Sequence, residues 1–372
     1  MGFLSLIFGV SLVLSGCVSA FKEVPPKQEI ALTTEQKTEK ILSRLSDAEK
    51  IGQLMMIGLS GTKVDADARY MLTEFSCGNV ILFDRNLQTS EQVCTLNDEI
   101  KKTIRMQTGL APFIGIDQEG GQVMRMRAYL PSMPSAEVLG SGSPDEAKRW
   151  AIDTGNALKS LGFNINFAPV VDLGSAYERS YGTEADTVIS YANAVISGYE
   201  EVGIATTLKH FPGIGKVKTD PHIDGDTVDL SKDEWCKEDG KPFQVLIHET
   251  NPFHTFVMVS NVTFPQFDET NPACLSSVVM EDLLRKECNY TGIILTDDME
   301  MGAMSKHYSF EEMGVRAIEA GADMLLVCHD YGHAQEVFNG LLKAYRKGGL
   351  LKEKADNAVR RIIRVKLENG MI

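Results

Sequence analysis

Mostly apolar runs recur along the chain, separated by longer stretches with helical spacing. They are Gln53–Leu59, Asn79–Phe83, Phe113–Asp117, Ile165–Asp172, Ile204–Lys209, Thr255–Asn261, Gly292–Thr296 and Ala322–Cys328. Each is rich in β-branched or other apolar residues and alternates little, the pattern of strands buried on both faces. Helix starts fall between them. Ser46-Asp47-Ala48-Glu49, Ser143-Pro144-Asp145-Glu146 and Ser309-Phe310-Glu311-Glu312 match the capping box, in which Ser and Glu satisfy free amide donors. In Ala355–Glu368, Val359, Ile362, Ile363 and Val365 recur at helical spacing and predict a closing helix.

Strand-then-helix units repeated in this way predict an α/β fold, a (β/α)8 TIM barrel; a doubly wound open sheet is the alternative. The polar residues favour the barrel. Asp117 and Glu119, Asp172, Lys209 and His210, Asn261, Asp297 and Asp298, and Asp330 follow many different strand runs. An open sheet would concentrate its site at one switch point.

The 372 residues, 43% apolar, suffice for one large core. Lys+Arg 37 against Asp+Glu 51 leaves a net charge of −14, with no basic surplus to neutralise phosphates, so a general nucleic-acid binder is excluded. The start of the chain reads as targeting rather than fold. Phe3 to Leu14 is apolar but too short to span a bilayer, and no Lys or Arg precedes it. Leu14-Ser15-Gly16-Cys17 follows and resembles a bacterial lipobox. The division expected is a signal peptide over 1–16, a tether over 17–40 beginning at a lipidated Cys17, and a single barrel domain over 41–372. Such a protein would be exported and membrane-anchored through its lipid. The other cysteines, Cys77, Cys94, Cys236, Cys274, Cys288 and Cys328, include no C-x-x-C pair, so a zinc ribbon is not expected. Cys77 and Cys328 read as small core residues.

The chemistry concentrates in three segments that follow or end strand runs. Lys209-His210-Phe211-Pro212-Gly213 leads into Asp220-Pro221-His222, where a carboxylate two residues from an imidazole can fix its tautomer and suit it to proton transfer. Ile116-Asp117-Gln118-Glu119-Gly120-Gly121 and Thr296-Asp297-Asp298-Met299-Glu300 are the other two. Gly120 and Gly121 are not a phosphate loop, since no strand–GxGxxG–helix pattern follows. Read residue by residue, Asp297 could equally cap a helix, His222 could be a surface histidine, and Arg125 and Arg179 could form surface ion pairs.

Together the three segments resemble the β-N-acetylhexosaminidase branch of glycoside hydrolase family 3, over roughly residues 45 to 370. The resemblance implies a retaining exo-enzyme removing terminal β-N-acetylglucosamine from oligosaccharides or peptidoglycan fragments, without metal or organic cofactor. It implies Asp297 as nucleophile and His222 as acid/base oriented by Asp220. Asp117, Arg125, Arg179, Lys209 and His210 would hold the sugar. Three positions depart from the family pattern: Pro221 lies between Asp220 and His222, Ile214 stands for a usual His, and Asn261 ends the sixth strand where a His is usual. Other readings are a β-glucosidase or glycoside phosphorylase on the same barrel, a sugar-binding lipoprotein without catalysis, and a metal-dependent hydrolase using His210, Asp220, His222 and Asp297.

Overall fold

The apolar runs form parallel strands β1 (Met55–Gly58), β2 (Asn79–Leu82), β3 (Ile114–Ile116), β4 (Ile165–Asn166), β5 (Thr206–Phe211), β6 (Thr255–Val259), β7 (Ile294–Asp298) and β8 (Met324–Val327). This computed structural model describes residues 32–130, 132–174, 177–217 and 226–372. The hydrogen-bonded order is β4-β3-β2-β1-β8-β7-β6-β5. Parallel bridges Ile165↔Ala205 and Val170↔Lys209 join β4 to β5 and close the ring. Asn166 and Thr207 donate across that seam to Ala205 and Ala168 at 2.8 and 2.9 Å. The architecture is the (β/α)8 barrel that the pattern predicts.

Strand extents differ from the expectation in informative ways. The run Ile165–Asp172 is regular strand only over Ile165–Asn166, because Pro169 has no N–H to give to a ladder. By contrast β5 and β7 continue two residues beyond the apolar pattern, through His210–Phe211 and Asp297–Asp298.

The barrel interior is packed. Phe113 and Phe256 meet edge to face at 5.3 Å, and Phe167 is wholly buried. A Cβ at Gly115 would stand 2.6 Å from the Phe167 ring, so glycine at that strand position is what admits the aromatic. Each fully buried Leu, Ile, Val or Phe stabilises the fold by about 1.5–3 kcal/mol. Lys366 is fully buried in this core, its Nζ 2.7 Å from Gln53 Oε1 and over the Phe113 ring. Burial lowers its pKa to about 7.

Outside the strands, Ser46 makes both halves of its capping box. Ser143 and Ser309 make the serine half, accepting from Glu146 N and Glu312 N, without the reciprocal Glu bond. The closing helix spans Leu350–Glu368, longer than predicted, and buries Val359, Ile362, Ile363 and Val365. The expected tether needs correction. Its residues from Thr34 onward belong to a helix, Thr34–Leu42, whose Thr33 cap and buried Leu42 make it part of the barrel's outer layer. Glu39 pairs there with Arg360 of the closing helix at 2.6 Å. The signal segment and Cys17 lie outside the described residues. The six described cysteines are free thiols, and Cys77 and Cys328 are buried as expected. Among the described residues no helix is long and apolar enough to cross a membrane.

Candidate active site

Two β-bulges decide where the polar side chains point. Across β5 and β6 the register runs Leu208↔Val257 and then Phe211↔Val259, three steps against two. Across β7 and β8 it runs Leu295↔Met324 and then Asp298↔Leu326, again three against two. Each bulge adds one residue, breaks strict alternation and re-aims its neighbours. The residues so placed are Lys209-His210 and Asp297-Asp298. Phe211, Val259 and Thr296 are register partners, so both pairs stand at the same C-terminal end of the barrel.

At that end Lys209 Nζ lies 3.0 Å from Asp117 Oδ1 and 2.7 Å from Glu119 Oε1. Arg179 donates to both Glu119 oxygens, each at 2.8 Å. This bidentate fork is the strong form of such a pair. Burial alone would raise the Glu119 pKa. The charges of Lys209 and Arg179 outweigh it and hold the carboxylate at about 2. Burial works against the charged form of Lys209 too, and Glu119 and Asp117 reverse it, raising its pKa. Arg125 completes the cradle, 3.6 Å from Asp117 Oδ2 and 3.1 Å from Asp84. Asp117 keeps some solvent exposure, so a carboxylate and an ammonium are offered side by side to a polyol.

His210 is held differently. Asp172, almost wholly buried, accepts from His210 N at 3.1 and 3.2 Å and from Ile214 N at 2.9 Å. Its Oδ2 also lies 2.7 Å from His210 Nδ1. A carboxylate only accepts, so Nδ1 carries the proton and Nε2 is the ring's remaining polar atom. The Lys209–His210 peptide is cis. Ile214 enters this arrangement through its backbone N–H, a role independent of its side chain.

Asp297 stands apart. Its Oδ1 accepts from Asp298 N at 2.8 Å, and among the described residues no cation pairs with it. Burial, and secondarily the charge of Asp297, hold the nearby Cys274 thiol above its ordinary value. Asp298 is gripped on three sides. Asn261 Nδ2 donates to its carbonyl at 2.8 Å, Glu300 N to its Oδ1 at 3.1 Å, and His329 Nε2 lies 3.1 Å from its Oδ2. The Asp298 hydrogen bond raises the His329 pKa, with burial opposing it. Glu300 is itself tied to His333 Nδ1 at 2.7 Å and to Asp330 N at 3.0 Å.

Of the residues expected from sequence, the structure links Asp117, Arg125 and Lys209 directly and Arg179 through Glu119. His210 and Asp297 stand at the same barrel end on separate networks. Asp220, Pro221 and His222 lie outside the described residues. Sequence reasoning noted Glu119 and Asp172 at strand ends but gave neither a role, and it passed over His329. The signal for His329 was its place directly after the β8 run. The neighbouring strand-end residue named from sequence, Asp330, caps the helix Tyr331–Lys347. Among the described residues no group of three or more His, Cys, Asp or Glu side chains could hold a metal ion.

Known proteins share this arrangement of sequence and fold. A family model described as "Glycosyl hydrolase family 3 N terminal domain" matches residues 47–365. A protein named beta-hexosaminidase from Idiomarina loihiensis is 32% identical over 301 residues, 78% of this chain and 88% of that one. A solved glycoside hydrolase family 3 beta-N-acetylglucosaminidase from Paenibacillus sp. str. FPU-7 superposes with a TM-score of 0.84 at 35% identity. The match covers 88% of this chain and 63% of that one, so this chain spans less than two thirds of the Paenibacillus protein. Beta-N-acetylhexosaminidase from Beutenbergia cavernae matches with a TM-score of 0.81 at 27% identity, over 88% of this chain and 99% of the other.

Proposed function

Because the chain belongs to glycosyl hydrolase family 3, we propose that it is a retaining exo-β-N-acetylhexosaminidase. It removes terminal, non-reducing β-N-acetylglucosamine from oligosaccharides or peptidoglycan fragments. The observation that carries the reading is the state of Asp297, which alone among Asp117, Glu119, Asp172, Asp297, Asp298 and Glu300 has no side-chain partner among the described residues. A nucleophilic carboxylate needs an oxygen free to attack. Asp297 Oδ1 is oriented by one amide, and Oδ2 is left for the anomeric carbon.

In this reading the sugar ring sits over the cradle. Asp117 accepts from hydroxyls, Lys209 and Arg125 donate to ring substituents, and Arg179 stiffens the floor through Glu119. His210 presents Nε2, its Nδ1 being committed to Asp172. Asp297 forms the glycosyl–enzyme bond as His222, oriented by Asp220, protonates the leaving oxygen. His222 then takes a proton from water, which attacks the anomeric carbon and frees Asp297.

The test compares nitrophenol release from paired β-N-acetylglucosaminide and β-glucoside substrates, for the wild type and Asp297→Ala. Selective cleavage of the acetamido sugar, falling at least about a thousandfold in the variant, is expected for loss of a nucleophile. Preference for the glucoside, or an active Asp297→Ala, refutes the proposal.

A further inference from the structure

We propose that His329 is a positioning residue for Asp297: by holding the Asp298 side chain it fixes the residue whose backbone amide aims the attacking carboxylate. The inference rests on the nucleophile assignment above and deepens it.

Arg85 anchors the arrangement on one side. Its Nε donates to Leu59 O at 2.8 Å, and an Nη donates to Cys328 O, so the guanidinium is anchored between the ends of β1 and β8. It also lies over the Phe83 ring, 4.7 Å from the centroid. From that anchorage Nη1 reaches His329 Nδ1 at 3.2 Å. A guanidinium has only donors, so the bond is made to the Nδ1 lone pair and the ring proton resides on Nε2. Nε2 then donates to Asp298 Oδ2 at 3.1 Å. Phe83 packs against the same imidazole, with centroids 5.4 Å apart. The ring is thus fixed by a cation on one edge, a carboxylate on the other and an aromatic face.

Asp298 needs that grip because of the bulge. Between Leu295 and Asp298 the β7–β8 register is interrupted, so regular ladder bonds do not set the direction of Asp297. Beyond the bulge Asp298 is back in register with Leu326, and Met299 N donates to Leu326 O at 3.0 Å, which holds the backbone there. The Asp298 side chain is fixed by His329, and Asp298 N in turn donates to Asp297 Oδ1 at 2.8 Å. Asn261 and Glu300 N hold the other polar atoms of Asp298. The charged groups facing His329 are Arg85 on one side and Asp298 and Glu300 on the other. With its side chain about half exposed, His329 contributes little core packing, so its loss should be felt in chemistry rather than folding.

Two substitutions in the full chain separate the hydrogen bonds from the ring. His329→Phe keeps a ring against Phe83 and loses both bonds. His329→Gln can accept from Arg85 and donate to Asp298. On an aryl β-N-acetylglucosaminide, His329→Phe should lower kcat about tenfold with KM within about twofold, the signature of an interaction that matters in the transition state. Its melting temperature should stay within about 2 °C of wild type, as befits a surface-facing side chain. His329→Gln should retain kcat within about threefold. A wild-type kcat in His329→Phe, or equal losses in both variants, would overturn the inference. An inactive wild type or an active Asp297→Ala would instead overturn the nucleophile assignment and the inference with it, so the two failures are told apart.

Discussion

Replacing Glu119 by Gln tests the electrostatic logic of the sugar cradle. The substitution preserves volume but removes the charge that faces Lys209 at 2.7 Å and Arg179 at 2.8 Å. Gln also turns an NH2 group toward at least one donor that previously met an acceptor. The carboxylate is held at about 2, against an ordinary 4.5. At 1.36 kcal/mol per pH unit, that interval corresponds to roughly 3 kcal/mol of native-state stabilisation. A buried pair broken from one side independently suggests about 3–5 kcal/mol. Glu119→Gln should therefore lose roughly 3 kcal/mol at pH 7, read from urea unfolding.

The pH dependence fixes the sign. A carboxylate with a depressed native pKa contributes its full stability above the unfolded value, near 4.5, and loses it as pH falls toward about 2. The gap between wild type and Glu119→Gln should be constant from pH 7 to about 5 and narrow below that. In the same variant Lys209 retains only Asp117 of its two anionic partners. The ammonium should then engage Asp117 more tightly and leave it less available to sugar hydroxyls, raising KM more than it lowers kcat. A gap under about 1 kcal/mol at pH 7, or one that stays the same down to pH 3.5, would refute the reasoning.

Two further substitutions probe other buried groups. Asp172→Asn keeps one acceptor oxygen and turns the other into an NH2 donor, so His210 Nδ1 and Ile214 N can no longer both be accepted. Loosening the His210 ring should lower kcat/KM about tenfold or more, and activity within about twofold of wild type would show that the ring needs no such clamp. Lys366→Met should stabilise the protein by about 2 kcal/mol at pH 7, because relief of a buried charge exceeds the cost of leaving Gln53 Oε1 unpaired. The Lys366 pKa is lowered from 10.5 to about 7, so the wild type regains stability as pH climbs through that interval and the advantage of Met should shrink there; a constant or negative difference in unfolding free energy would contradict this.

The barrel was legible in the sequence because doubly buried parallel strands leave a signal that needs no partner information. The apolar runs mark them, and capping serines such as Ser46 punctuate them. Where the runs end, that signal stops. His210, Asp297 and Asp298 are polar, so the apolar pattern ends at Lys209 and Thr296, while hydrogen bonding carries β5 and β7 two residues further, through bulges that hold these side chains. Glu119 and Asp172 were visible as strand-end carboxylates without roles, for a related reason. Their partners Arg179 and His210 lie 60 and 38 residues away and meet them only when the ring closes. The helix at Thr34–Leu42 was read as tether because its inward face is short. Thr38 and Leu42 are its buried residues, and both acquire meaning only against the closing helix.

The arrangement of charge at the barrel mouth also explains why residue types alone could not single out Asp297, the proposed attacking group. Asp117, Glu119, Asp172, Asp297, Asp298 and Glu300 are chemically alike in a sequence. In the fold, Glu119 and Asp117 neutralise a buried ammonium, and Asp172 fixes an imidazole. Asp298 and Glu300 tie the β7 turn to His329 and His333. Each of these five is engaged by a fixed side chain, and an oxygen so engaged is a poor nucleophile because attack must first break that contact. Asp297 is oriented instead by a backbone amide, which constrains one oxygen without adding a countercharge to the other. Placing the proposed nucleophile on a bulge achieves this. The extra residue turns Asp297 away from the paired ladder, and the neighbouring Asp298, held by Asn261, Glu300 N and His329, supplies the donor that keeps it in place.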